Sequence, residues 1–270
     1  MFDRGIEIKS PAQIASMREA GLVVGRTLEM LRGAAVAGVT TGELDALAHE
    51  HILSLGATSN FLGYHGFTGV ICASVNDEVV HGIPGSRVLH DGDVLSIDCG
   101  AIVDGWHGDA AITVPIGEVP ADVTELLRVT EESMWRGIAA AALGGRVSDI
   151  SHTIETYLDG QGDYGIVEGY TGHGIGSAMH QPPNVPNYGR AGRGPKLVLG
   201  MALAVEPMVT LGTADTRTLA DDWTVVTADG SWAAHFENTF TITEQGVWVL
   251  TALDGGAAKL AELGVPFGGR

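Results

Sequence analysis

The stretch "DVLSIDCGAIVDGWHGDAAITV", Asp93 to Val114, reads as a β-hairpin, and its alternation decides how the rest of the chain is read. In its first strand Leu95, Ile97 and Cys99 alternate with Val94, Ser96, Asp98 and Gly100. In its second, Ala110, Ile112 and Val114 alternate with Asp109, Ala111 and Thr113. Period-two alternation gives each strand an apolar face and a small, polar face carrying one aspartate. Asp104-Gly105 supplies the turn. A two-residue loop sets Asp98 either opposite Asp109 or diagonal to it, and both registers leave the carboxylates on one face, within reach of a shared ion. Aspartate is disfavoured inside strands. Two neighbouring carboxylates also repel, so one takes up a proton unless positive charge lies between them.

Outward from the hairpin the chain follows one plan twice. Ser10-Pro11 with Gln13 reads as a capping box, and Ile14, Met17, Val24, Leu28 and Leu31 recur at helical spacing. Thr40 with Glu43 opens a second helix with a stripe of Leu44, Leu47, Ala48 and Leu55, closed by Gly56. Short β-like runs come next, from Phe67 to Val114. A helical stretch from Asp122 to Ala142 and a shorter one after Ser148 then lead to strand-like segments at Lys196–Thr210, Thr224–Thr227 and Ala233–Thr243. The fold class is α/β (α+β): one domain over residues 1–270, with repeated halves at about 10–115 and 120–250 and a short C-terminal extension at 253–270. A site between the halves is expected.

Bulk composition narrows the function classes. Hydrophobic residues make up 45% of 270 residues, enough for a core without staples. Cys72 and Cys99 are too few for a disulfide framework, which suits a reducing compartment. "MFDRGIEIKS" has no apolar core of a signal peptide, and no run approaches the ~18 apolar residues of a membrane span. A cytoplasmic location is expected. A net charge of −18 argues against general nucleic-acid binding. The one basic cluster, Arg190, Arg193 and Lys196, reads as solvated loop charge.

Three further residues join the aspartates. Glu206, in "ALAVEPMVT", sits in an apolar run where a lone carboxylate would be costly to bury. Glu237, in "AAHFENTFTIT", shares a strand face with His235, Thr239 and Thr241. His173 and His180 lie seven residues apart in "GYTGHGIGSAMHQPPNVP", a stretch padded with glycine and closed by two prolines. Taken singly, each glutamate reads as a structural or edge residue. Together, four carboxylates and one imidazole make an oxygen-rich donor set suited to Mn²⁺, Fe²⁺ or Co²⁺, and tolerant of Zn²⁺. Five ligands leave two octahedral ions unsaturated, so bridging carboxylates and water must complete them, as in a dinuclear metallohydrolase.

The motifs "GYHGF", "VNDEVVHGIPG", "IDCGAIVDGWHGDAA", "TGHGIGSAMHQPP", "VEPMV" and "ENTFTIT" resemble, in order and separation, those of type I methionine aminopeptidases over about residues 10–250. The resemblance implies the pita-bread fold, two related α/β halves around two divalent metal ions. It implies that Asp98, Asp109, His173, Glu206 and Glu237 are the metal ligands. His81 and His180 fall on the family's two other active-site histidines. Glu206 would shuttle a proton to the leaving amine, His180 would donate to the oxyanion, and His81 would contact the backbone nitrogen of the second residue.

The methionine pocket implied in this way comprises Phe61, Tyr64, Phe67, Cys72, Met179 and Trp223. Phe61 stands where bacterial members often have cysteine, and Met179 where an aromatic is usual; bulk is roughly kept, so methionine remains the expected first residue. The expected partners are peptide and nascent-protein N-termini with small second residues. Ribosome association is left without a basic docking patch, because the segment after Glu206 carries one arginine against four aspartates. No membrane or specific nucleic-acid partner is expected, and the chain reads as a monomer. The competing readings are an Xaa-Pro peptidase, which shares the fold and ligands, and a non-catalytic binding module on the same fold.

Overall fold

The strands Val94–Val103 and Trp106–Pro115 form one long antiparallel hairpin in the computed structural model, which describes residues 5–269. The first four residues of the N-terminal stretch tested against a signal peptide lie outside the described residues. Val103 pairs with Trp106, so Asp104 and Gly105 are the whole turn, with φ of 50° and 78°. Positive φ at both positions is the type I′ geometry that Asp-Gly favours. This register sets Asp98 against Ala111 and Asp109 against Gly100, the diagonal one of the two arrangements.

The hairpin is also where the two halves meet. Ala111 pairs on its other side with Glu237, at the start of the strand Glu237–Ile242. Directly opposed residues share a face, so Asp98, Ala111 and Glu237 form one row across three strands. Asp109, two residues from Ala111, joins the same face. The sheet continues through Ala202–Val205 and Gly172–Gly174 to Gln181–Val185, nine strands in all with every pairing antiparallel. Beside it, Glu78–Val80, Val225–Thr227 and Thr216–Thr218 form a small sheet, with His81 and Trp223 next to its strand ends.

Helices cover the other face of the large sheet. α1 (Pro11–Ala34) and α2 (Thr41–Ser54) start at the capping boxes of Ser10 with Gln13 and Thr40 with Glu43. Their buried side chains, among them Val24, Leu28, Leu31, Leu44 and Ile52, pack on Leu95, Ile97, Cys99 and Val114 of the hairpin. α3 (Ala121–Ala139) and α4 (Val147–Asp159) do the same for the second half, where Leu126, Ile138, Ile150 and Ile154 meet Leu203, Val205 and Phe240. Ile112 touches both clusters. A last helix, α5 (Ala257–Glu262), buries Leu260, and Phe267 bridges Val247, so the segment after Leu253 folds back onto the second half.

Some expectations shift in detail. Leu47 is 41% exposed, and Ile52, one turn beyond Ala48, takes the buried place in α2. The strand expected from Lys196 begins only at Ala202, and Glu206 lies between the strands Ala202–Val205 and Met208–Thr210. The glycine-padded segment read as a loop contains two short strands, flanking a turn at Gly176–His180.

α1 approaches the sheet so closely that side chains are excluded. A Cβ on Gly21 would lie 2.1 Å from the carbonyl oxygen of Leu250, and one on Gly108 would lie 2.8 Å from the nitrogen of Gly21. Alanine is normally better than glycine inside a helix by about 1 kcal/mol. Gly21→Ala is nevertheless expected to destabilise by about 2 kcal/mol, because the clash is with backbone that cannot rotate away. Urea denaturation checks the sign, and a stabilised variant would refute the close approach.

Candidate active site and metal centre

The row across the sheet gathers the carboxylates in a buried floor. Ligand oxygens of Asp98, Asp109 and Glu237 lie within 4.8 Å of one another, and so do ligand atoms of His173, Glu206 and Glu237. A third such group joins Asp109, His173 and His180. The register explains the convergence. Ala111 lies between Asp98 and Glu237 in the row and puts only a methyl group there, while the place beside Gly100, opposite Asp109, is taken by the Asn60 side chain. Glu206 arrives from the turn after Val205, where Asn187 donates to its backbone carbonyl at 3.1 Å.

Among the described residues no cation neutralises this cluster. Asp98 Oδ1, Asp109 Oδ1 and Glu237 Oε1 are buried without a hydrogen-bond partner among the described residues. Burial pushes the Asp98 carboxyl up to about 7. Burial also raises Asp109, Glu206 and Glu237 well above the usual carboxylate range, with further contributions from one another's charge and from Asp98. Orphaned carboxylate oxygens at this spacing fit divalent cations, which would satisfy them and cancel their repulsion.

His173 is placed to complete the donor set as a neutral imidazole. Its Nδ1–H donates to the carbonyl of Gly174 at 3.0 Å, which leaves the Nε2 lone pair facing Glu206 at 3.6 Å and Glu237 at 3.9 Å. Burial first, and then the neighbouring His180, holds its pKa down to about 3, so those contacts are not ion pairs. The flanking glycines have a definite reason. A Cβ on Gly172 would lie 2.3 Å from the Ala204 oxygen, and one on Gly174 would lie 2.2 Å from the Pro182 oxygen. The backbone beside the ligand is squeezed between neighbouring strands.

The other two histidines rim the floor. His180 is exposed toward the cleft, with its Nδ1 2.8 Å from the Tyr64 hydroxyl and its ring edge-on to His173. His81 has φ 61°, and stands edge-on to Tyr170 and Trp223. Burial, then His180, lowers its pKa to about 4.

A cavity of about 150 Å³ opens above the carboxylates, and all six expected pocket residues line it: Phe61, Tyr64, Phe67, Cys72, Met179 and Trp223. Four of them, Phe61, Phe67, Cys72 and Met179, form a buried apolar cluster. Burial and then the charges of Asp98 and Asp109 push the Cys72 thiol up, which suits a wall rather than a nucleophile.

Sequence reasoning gave no role to three histidines close by. His65 lines the cavity mouth, and its only sequence signal was its place inside "GYHGF". His235 lies behind Glu206, Nε2 to Oε2 3.6 Å, and is fully buried. Its same-face spacing with Glu237 was legible, but histidine at a strand position carries no ligand signature of its own. His107, two residues before Asp109, has a buried Nδ1 with no partner among the described residues. Thr113 ties the hairpin to His235: its hydroxyl donates to the His235 carbonyl at 2.8 Å and accepts from its N–H at 2.9 Å.

The sequence model of metallopeptidase family M24 matches residues 15–244. A methionine aminopeptidase from Clostridium acetobutylicum is 54% identical over 247 residues, spanning 91% of this chain and 98% of the relative. The crystal structure of a methionine aminopeptidase from Thermotoga maritima superposes with a TM-score of 0.90 at 41% identity, over 92% of this chain and 99% of that one. A prolidase from Pyrococcus furiosus is similar in fold alone, at 20% identity and a TM-score of 0.73, and this chain covers 65% of its length.

The electrostatics give the stability a pH signature. In the metal-free protein the raised carboxyls bind more protons folded than unfolded, so their contribution is lost as pH rises through the raised values. The buried histidines act oppositely, but only below their ordinary 6.5. Above pH 7 the raised carboxyls, joined toward pH 9 by the raised thiols of Cys72 and Cys99, all act in the same direction, so the melting temperature of chelator-treated protein should fall between pH 7 and pH 9. A divalent ion at about 100 times its Kd adds about 2.7 kcal/mol, roughly 5–10 °C in a domain of this size, and the increment should grow with pH. Scanning fluorimetry decides; a metal-free melting temperature that rises over this range would contradict the assignment.

Proposed function

The chain belongs to metallopeptidase family M24, and from that membership we propose which residues carry the work of a methionine aminopeptidase. The chain is a metal-dependent hydrolase that removes the N-terminal methionine from proteins and peptides. The observation that carries the assignment of roles is the placement of an apolar, aromatic-walled cavity directly over two overlapping donor triads, one of three carboxylates and one of two carboxylates and an imidazole.

In this reading Asp98, Asp109 and Glu237 hold one divalent ion, and His173, Glu206 and Glu237 hold a second, with Glu237 common to both groups. Oxygen donors with one imidazole favour Mn²⁺, Fe²⁺ or Co²⁺, with Zn²⁺ tolerated. Bound ions of this kind supply Lewis acidity and bring the ionisation of water near neutral pH. The protein residues then divide the remaining tasks. The cavity of Phe61, Tyr64, Phe67, Cys72, Met179 and Trp223 takes the unbranched methionine side chain, for which soft and aromatic walls are well matched. His180 donates a hydrogen bond to the carbonyl oxygen of the first peptide bond, and His81 contacts the nitrogen of the second residue. Glu206, whose burial raises its proton affinity, accepts the proton of the attacking water and passes it to the leaving amine.

The substrates in this reading are N-termini of nascent proteins and peptides with small second residues. No helix among the described residues is long and apolar enough to cross a membrane, and both cysteines are buried and free, which supports work in the cytoplasm. We read residues 1–270 as one catalytic unit acting as a monomer. Docking to ribosomal RNA has little support. The loop carrying Arg190, Arg193 and Lys196 serves α4 instead, since the backbone N–H groups of Gly192 and Arg193 donate to Asp149 and Ser148 at 2.7 and 2.6 Å.

The test is hydrolysis of Met-Ala-Ser beside an Xaa-Pro dipeptide by metal-stripped protein given each divalent ion separately. Only the methionine peptide should be cleaved. Glu206→Gln should lower kcat by about 10²–10⁴-fold, and His180→Ala by about 10²–10³-fold. Cleavage of the Xaa-Pro peptide alone would keep the metal centre and overturn the pocket. Metal binding without hydrolysis would leave a binding module.

A further inference from the structure

Tyr64 belongs to the pocket wall, yet its hydroxyl faces away from a purely apolar role. It lies 2.8 Å from Nδ1 of His180, and the two rings meet edge-on at 5.4 Å. Among the described residues this is the only hydrogen bond to the His180 side chain. The backbone of Tyr64 is held in a tight turn. Its N–H donates to the Phe61 carbonyl at 2.9 Å, and its own carbonyl accepts from Phe67 at 2.9 Å. Gly63 and His65, with φ of 85° and 48°, bracket it in left-handed conformations. A ring anchored in this way has little freedom to follow a mobile partner, so it fixes the partner instead.

We propose that Tyr64 is a positioning residue for His180: its O–H donates to Nδ1, holding the imidazole in the tautomer that carries its proton on Nε2. The inference rests on the proposed role in which His180 donates to the substrate carbonyl. A phenol O–H has one proton to donate, and a neutral imidazole has one donor and one acceptor nitrogen. When Nδ1 accepts from Tyr64, Nε2 is the donor left for the substrate. The opposite tautomer would aim a lone pair at a carbonyl oxygen above a floor of carboxylates, where both repel it. Because Tyr64 also lines the methionine pocket, the wall that selects the first side chain and the donor that serves its carbonyl share one hydrogen bond. Selectivity should therefore be expressed partly in turnover and not only in binding.

The test begins with Tyr64→Phe, which keeps the ring and the wall. It should lower kcat about 10-fold while KM stays within about 2-fold, the pattern of an interaction used in the transition state. In the His180→Ala background the same substitution should cost nothing further. Nitrogen NMR on the zinc-loaded, histidine-labelled enzyme, with His180 assigned through His180→Asn, should show an unprotonated Nδ1 and a protonated Nε2. That signature should become a mixture of tautomers in Tyr64→Phe. An unchanged kcat, a change in KM alone, an equal loss in the His180→Ala background, or a proton on Nδ1 would each overturn the proposal. Full turnover by His180→Ala would overturn the role of His180 itself, and the wild-type spectrum would still decide the tautomer.

Discussion

Three carboxylates on one buried face of a sheet, joined by Glu206 from the turn beside them, are the constraint around which the rest of this fold is organised. The oxygens of Asp98, Asp109 and Glu237 lie within 4.8 Å of each other. At an effective dielectric near 20, each fully charged pair at that distance repels by about 3 kcal/mol. Among the described residues, no lysine or arginine is placed to offset this, and the nearby rings of His173 and His235 are held neutral by burial, at about 3. The cluster therefore resolves in one of two ways, by taking up protons or by holding cations.

The position of that cluster comes from how the two halves are joined. The pairing of Ala110 and Ala111 with Asn238 and Glu237 joins the hairpin to the second half. Asp98 and Asp109 come from one side of this seam, and His173, Glu206 and Glu237 from the other. Each half brings its own helix pair and its own apolar cluster, so the seam is held by two cores rather than one. The candidate donor set is split across the seam, so a bound cation would cross-link the two halves.

Much of this was legible in the sequence, and the illegible parts have physical reasons. The hairpin, its turn and both capping boxes were readable because each rests on local chemistry with a fixed spacing. Period-two alternation does not specify which two residues make the turn, so the sequence allows both registers; the pairing of Val103 with Trp106 and positive φ at Asp104 and Gly105 select the diagonal one. Leu47 was placed on the buried face of α2 because helical spacing alone cannot separate it from Ile52. The strands around His173 were missed because glycine and proline carry no hydrophobic period. The pocket had no pattern at all, since its residues run from Phe61 to Trp223 and meet only in three dimensions. It was reached through family resemblance, which in turn gave His65 and His235 no role.

The segment from His173 to His180 shows why a functional stretch can look structureless in sequence. Within eight positions it presents a metal-ligand candidate to the floor, Met179 to the pocket wall and His180 to the cleft. These targets lie in different directions, and neither a period of 2 nor one of 3.6 can serve them all. Glycine at 172, 174 and 176 lets the backbone pass within van der Waals limits of its neighbours. At Gly176 a Cβ would strike the Glu7 carboxylate, which itself accepts from the Ser177 N–H at 3.0 Å. An irregular backbone costs conformational entropy unless it is held from several sides. Here it is held by the strand Ala202–Val205, by Glu7 and by the Tyr64 hydroxyl on the far side of the pocket. The placement of His180 thus depends on contacts spread over the whole chain, and the wall that faces the substrate is one of them.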